Sequence, residues 1–317
     1  MKGKKIITLC NLNCKFEKNK KTYPMLDYFN IVKEALFLEK HFRNMFLYEV
    51  KLIETKTMGY CIYGKIVKNT HLEINSKYDE KNKILNELSK TEIHQSSPYS
   101  EFILILKNHR LIFTPSQKGS PTIKNLESVL KRNIKSILKI YNHQLNEEKE
   151  MINLHFFDIM EVPKKTNVYN DLVKFEKISL FSLKFIELNN DLLNDYFEST
   201  QVLKDEIGSN EIVQNFKNPM NKKIIAKMIE KSAGKISIMI KARKKGEVKE
   251  KIYKNDDFKE KLEVIFPAEL VNDEENILSL IDKRIDDQRL KEVSQDNENT
   301  YKKFLENMKE IIFKLLH

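Results

Sequence analysis

Tryptophan is absent from this 317-residue sequence, glycine and proline occur seven times each, and cysteine three times. With so few glycines the chain contains neither GxxxxGK[ST] nor GxGxxG, so it lacks both a Walker-type phosphate loop and a dinucleotide fingerprint. Nucleotide hydrolysis is thereby disfavoured. The histidines, His41, His71, His94, His109, His143, His155 and His317, form no HxH, HExxH or HxxxH pair, which argues against a histidine metal centre. No GxSxG elbow is present. No apolar run approaches the roughly 18 residues that span a bilayer, and the longest, such as Phe102–Leu106, are strand-sized. The basic start, Met1 to Cys10, carries an apolar part of only about five residues before Asn11 and Asn13, too short for a signal peptide. These absences predict a cytoplasmic protein with no membrane insertion.

Three cysteines in a chain of this size do not build a disulfide framework. Cys10 and Cys14, with Cys61 and a histidine, have the chemistry for zinc, but the spacing is unusual and Cys10 occupies an inward-facing strand position. No metal and no cofactor is expected. Charge is abundant by contrast: 56 Lys+Arg against 46 Asp+Glu give a net charge of +10. The stretch Asn215–Lys254 holds that whole excess, its acidic residues being only Glu230, Glu247 and Glu250. Residues 255–300 are acidic. A charge excess this local reads as an electrostatic footprint for a polyphosphate partner.

Periodicity predicts an α+β protein of two domains, residues 1–146 and 151–317, each a mostly antiparallel sheet packed with helices, with a helical C-terminus. In the first, strands are expected at Lys5–Phe16, Phe46–Glu54, Gly59–Lys68, Glu101–Leu106 and Arg110–Thr114. Helices are expected from Tyr23 or Pro24 to Met45, at Asp79–Leu88, and from Thr122 to His143, the last with Ser120 as N-cap and Pro121 in its first turn. The charge run Glu147–Glu150 marks the break. In the second, strands are expected at Ile152–Met160, Ile178–Leu188 and Leu262–Phe266. Helices are expected at Asp191–Ile207, Ser209–Phe216, Glu274–Val293 and Thr300–Leu316.

The basic stretch resolves into a helix, Pro219–Ser232, and a hairpin, Lys235–Tyr253. The helix takes Asn218 as N-cap and buries Ile224, Ile225, Met228 and Ile229, so Lys223, Lys227 and Lys231 share an outward face beside Lys222. In the hairpin, Ile236, Ile238, Ile240 and Ala242 alternate with Ser237, Met239, Lys241 and Arg243. Lys244, Lys245, Gly246 and Glu247 supply the turn, with Gly246 where positive φ is wanted, and Lys249 and Lys251 return on one face. Helix and ribbon together are read as one surface for phosphates. The Thr122–His143 helix offers a second, with Lys124, Lys131, Arg132, Lys135 and Lys139. Phe216, Tyr253 and Phe258 are the few rings nearby, which favours duplex backbone contact over base stacking. Each lysine row is also what a solvated helix face looks like.

The order of elements resembles the RexA type of phage-exclusion protein, a DNA-binding component of abortive-infection systems. The similar parts are the Glu101–Thr114 hairpin followed by the Ser120-Pro121 helix, then Phe181-Ser-Leu-Lys-Phe-Ile186, Lys222-Lys-Ile-Ile-Ala-Lys-Met-Ile229 and the strand-turn-strand from Ile236 to Val248. The resemblance is one of layout. It implies a dimeric, two-domain cytoplasmic protein that binds DNA with little sequence preference and signals infection to a partner protein, and it carries over no catalytic residue. The residues thus point to a non-enzymatic nucleic-acid-binding protein, double-stranded DNA being the favoured ligand, with the C-terminal helices either forming a homodimer or packing within the chain. Two alternatives stay open. One is a metal-dependent nuclease or toxin effector built on Glu247-Val-Lys249 or Glu260-Lys-Leu-Glu263. The other is a protein–protein adaptor whose basic stretch meets an acidic partner.

Overall fold

The computed structural model describes residues 3–38, 40–55, 58–79, 81, 83–145, 151–164, 167–186, 195–209, 211–266 and 288–316. The chain is α+β. Its large antiparallel sheet is organised by β1 (Gly3–Lys18), whose length allows it to pair with β2 (Lys21–Pro24), β8 (Arg110–Pro115), β9 (Ile152–Glu161) and β14 (Lys261–Phe266). From β8 the sheet continues through β7 (Tyr99–Ile105) and β4 (Gly59–Lys68) to β3 (Met45–Thr55). Alternation along β1 sends Cys10, Leu12, Cys14 and Phe16 into one core and Ile7 and Leu9 into another. The first core is closed by α1 (Phe29–Leu36) and α2 (Ile123–His143), and by Tyr301 and Phe304 of a long C-terminal helix.

The strands expected in this half form. The expected helix from Tyr23 or Pro24 to Met45 is shorter: a single 3-10 turn, Met25–Tyr28, leads into α1, which ends at Leu36. Asp79–Leu88, expected as a helix, instead joins β5 (Thr70–Asp79) to β6 (Ile84–Ser96), because cross-strand pairing from Asp79–Ile84 outward overrides a short stretch of local helix preference. Helix α2 starts one step later than expected. Thr122, not Ser120, is the N-cap, and its side chain and that of Asn125 cap each other's backbone N–H.

The division expected between residues 146 and 151 moves. Strands β9 and β14 both lie beyond it, yet both pair with β1, end to end along the same edge. The described residues between 162 and 260 therefore hang from the first sheet as an insertion. Its neck is the antiparallel bridge Pro163–Lys259, flanked by Lys164 N–H to the Phe258 carbonyl at 3.0 Å and Glu260 N–H to the Val162 carbonyl at 3.2 Å.

The inserted unit has its own four-stranded antiparallel sheet, in the order β11 (Ile212–Lys217), β10 (Phe175–Phe185), β12 (Ile236–Lys244), β13 (Lys251–Lys254). Three helices carry side chains into its core: α3 (Val168–Leu172), α4 (Asp195–Ile207) and α5 (Lys222–Ser232). The segment Ser209–Phe216, expected as a helix, is largely β11, whose residues ladder onto Leu180–Phe185 of β10. The end of the chain is helical, with α6 (Gln288–Lys291) and α7 (Gln295–Leu316). Most of the expected helix Glu274–Val293 lies outside the described residues. Asn108 Nδ2 donates to the Leu290 carbonyl at 2.6 Å, fastening α6 to the turn between β7 and β8. Among the described residues, no helix is long and apolar enough to cross a membrane.

Candidate nucleic-acid interface

The inserted sheet separates the basic residues by the parity of its strands. On β12, Ile236, Ile238, Ile240 and Ala242 are buried and meet Phe185, Leu183 and Phe181 of β10 in register. Ile225, Ala226 and Ile229 of α5 join the same core. Helix α5 therefore covers the apolar side, and Lys223 and Lys227 face out from the helix, away from the sheet. Lys241 and Arg243 project from the opposite side of β12. The helix and ribbon lysines, expected as one continuous surface, stand on two sides of a single layer.

The local starts and stops account for this. Helix α5 begins at Asn221, whose side chain accepts from the Ile224 N–H at 3.2 Å; Asn218, the expected cap, ends β11 in a left-handed turn with φ 47. Lys222 is drawn back onto the sheet, donating through Nζ to the Phe175 carbonyl. Lys231 is half-buried in the last turn. In the hairpin, Gly246 adopts φ 81 as the turn requires. Lys249 lies in the connection before β13 rather than on the strand. Lys251 stands opposite Ala242, exposed on the side of the sheet away from Lys241, and reaches Glu247 at 2.8 Å; that hydrogen bond holds its pKa above the ordinary lysine value.

On the open side of the sheet, cross-strand registers assemble Lys217, Leu180, Lys241 and Ile252 in one row and Asn215, Ser182, Met239 and Lys254 in the next. Lys241 has Glu250 at 3.5 Å, and Arg243 has Glu176 at 3.3 Å. Such exposed pairs are weak and yield readily to phosphate. The ammonium groups of Lys217, Lys245, Lys249 and Lys254 are exposed and pair with no carboxylate among the described residues, although the Lys254 backbone N–H donates to Asp257 at 2.7 Å. Lys244 lies over the Tyr253 ring, 5.3 Å from its centroid. The rings lie on the other side of the sheet: Phe216 stacks on Phe181, and Tyr253 packs on Phe175.

The second basic surface, on α2, divides differently. Lys124 is engaged by Glu127 at 2.7 Å and Asp158 at 3.5 Å; partial burial lowers its pKa, and these carboxylates outweigh it to leave a net rise. Arg132 lies over the Phe42 ring at 4.4 Å. Lys131, Lys135 and Lys139 remain as an exposed row at four-residue spacing, without acidic partners among the described residues.

The zinc reading gains no geometry among the described residues. The three cysteines are buried thiols; Cys10 and Cys14 belong to one face of the large sheet and Cys61 to the other, so they do not converge on one metal. Burial pushes the Cys14 thiol far up. Glu247 and Lys249 lie in a loop rather than on a strand. Among the described residues, no group of three or more His, Cys, Asp or Glu side chains is placed to hold a metal ion. Tyr301 and Phe304 of α7 belong to the chain's own core, so this part of the C-terminal helix packs within the chain. No protein-family model matches the sequence, and no curated protein matches it.

Proposed function

We propose that this chain is a non-enzymatic protein that binds double-stranded DNA with little sequence preference, in the setting of anti-phage defence that its layout resembles. The contact surface is the open face of the inserted sheet with its β12–β13 turn: Lys217, Lys241, Arg243, Lys244, Lys245, Lys249 and Lys254. The observation that carries this reading is that Lys217, Lys241, Arg243 and Lys254 share the open side of one antiparallel sheet, whose β12–β13 turn adds Lys245 and Lys249, while Lys244 closes the end of the strand over the Tyr253 ring. Ammonium groups there meet phosphates without needing any base edge, which gives affinity but little sequence readout. With Phe216 and Tyr253 on the opposite side of the sheet, the open face offers no ring among the described residues for base stacking, so a duplex fits better than a single strand.

The test is binding of duplex and single-stranded DNA and RNA across salt, by the wild type and by a variant with Lys241, Arg243, Lys244 and Lys245 all changed to alanine. Duplex binding should fall steeply with salt, leave the DNA uncut in Mg²⁺ or Mn²⁺, and weaken in the variant. Unchanged binding in the variant overturns the assigned surface. A metal-dependent cut overturns the non-enzymatic reading.

A further inference from the structure

Strand β11 ends its sheet: among the described residues it pairs only with β10. Asn218 N–H donates to the Ser179 carbonyl at 2.9 Å, and these two residues follow the Leu180–Lys217 pair in register. Backbone groups alternate sides along a strand, so those of Val213, Asn215 and Lys217 point to the free edge. Such an edge is a template for another strand unless it is blunted. This one has no proline and no bulge against β10, and it exposes Val213 (46%) and Phe216 (39%).

We propose that β11 pairs antiparallel with β11 of a second copy of this chain, centred on Gln214. Two identical strands joined this way are related by a two-fold axis perpendicular to the sheet, which keeps equivalent faces on one side. Opposed residues then share parity, and the centre falls on a residue. Centring on Gln214 sets Glu211 opposite Lys217 of the second copy, Ile212 opposite Phe216 and Val213 opposite Asn215. Moving the centre to Val213 sets Glu211 opposite Asn215, and moving it to Asn215 sets Lys217 opposite Val213; both lose the charge match and the apolar match. Within its own chain Glu211 already pairs with Lys184 on the open face, and Lys217 of the second copy would complete a three-membered network there. Val213 and Asn215 also supply the backbone groups that face the edge, so the hydrogen-bonded pairs flank a central non-hydrogen-bonded Gln214 pair.

Taken with the nucleic-acid reading, on which this consequence alone rests, the pairing makes one eight-stranded sheet with both basic faces on the same side. At about 4.8 Å per strand its outermost strands lie about 34 Å apart, close to one turn of duplex.

Sedimentation and oxidative cross-linking test the proposal. Val213→Pro removes an N–H aimed at the free edge and leaves the ladder to β10 intact, so it should convert a wild-type dimer to a monomer with an unchanged circular-dichroism spectrum. Gln214→Cys should cross-link to itself under mild oxidant, since a non-hydrogen-bonded pair brings Cβ atoms within disulfide reach and the native cysteines are buried. A wild type that is monomeric at every concentration overturns the pairing, as does a dimer in which Gln214→Cys does not cross-link. If Val213→Pro misfolds, the cross-link decides. A monomeric Val213→Pro that still binds DNA with about half the salt slope supports both readings; a cross-linked dimer that binds no DNA supports the pairing and ends the nucleic-acid reading.

Discussion

Lys223 on α5 and Lys241 on β12 point away from each other across one apolar layer, with Ile225 and Ile229 on the helix side and Ile238 and Ile240 on the strand side. A single rigid duplex cannot touch both at once in one orientation. Replacing Lys241, Lys245 and Lys249 with alanine should weaken duplex binding and reduce the slope of log K against log salt by up to about 3, at about 0.9 per phosphate contact. Replacing Lys223, Lys227 and Lys231 should leave that slope unchanged. Fluorescence anisotropy across a salt series measures both, and the reverse ranking would move the interface to the helix.

Much of that layer is legible in the sequence. The alternation from Ile236 to Arg243 identifies a buried and an exposed face that both form, and of the expected apolar side of α5 Ile225 and Ile229 are buried, Met228 is partly buried and Ile224 stays exposed. What local pattern does not contain is which way two exposed faces point once their buried faces meet, and packing necessarily sends them apart. Long-range pairing is invisible for the same reason. Nothing near Ile152 or Lys261 announces that both segments lie along β1, and Glu147–Glu150 reads as a boundary although strands of one sheet stand on either side of it. At β11, the run Ser209–Phe216 fits a helix in isolation, and only the ladder to β10 makes it a strand.

Asn255 holds the start of β12 by both ends of its amide: Ile238 N–H donates to Oδ1 at 2.7 Å, and Nδ2 donates to the Ile236 carbonyl at 3.0 Å. The side chain is buried, so removing it strands two backbone groups away from water. Asn255→Ala should cost about 2–4 kcal/mol in chemical denaturation. Asn255→Asp keeps the acceptor and loses the donor, and should also be destabilised near neutral pH.

Asp171 ties the neck to α3, receiving Lys164 at 2.9 Å and Lys174 at 2.7 Å. Partial burial works against its carboxylate, but hydrogen bonds from the two lysines outweigh it and hold its pKa below the ordinary value of 3.8. A carboxyl whose folded-state pKa is depressed contributes stability that is fully present above its unfolded value and lost as pH falls through the folded one. Stability should therefore decline on acidification below about pH 4. Asp171→Asn should flatten that part of the profile, which thermal melts between neutral pH and pH 3 can follow.

Gly234 sets the contact between the inserted unit and its neck. It has φ +72, and a Cβ there would meet Val162 Cγ2 at 3.0 Å, Val162 Cα at 3.2 Å and the Glu161 carbonyl oxygen at 3.3 Å. Two of those atoms are backbone, where β9 runs into the neck, so they cannot rotate aside. Gly246 has φ +81 with nothing within 4 Å of where a Cβ would stand, and it serves as the control. Gly246→Ala should cost about 1 kcal/mol from the backbone conformation alone. Gly234→Ala should cost that plus the displacement of the neck, for a total of about 2–4 kcal/mol. Denaturant midpoints of the two variants measure the difference. Equal losses would show that the close approach at Val162 relaxes without cost, and that the inserted unit is held to the first sheet by the strand hydrogen bonds of the neck rather than by packing against the turn into β12.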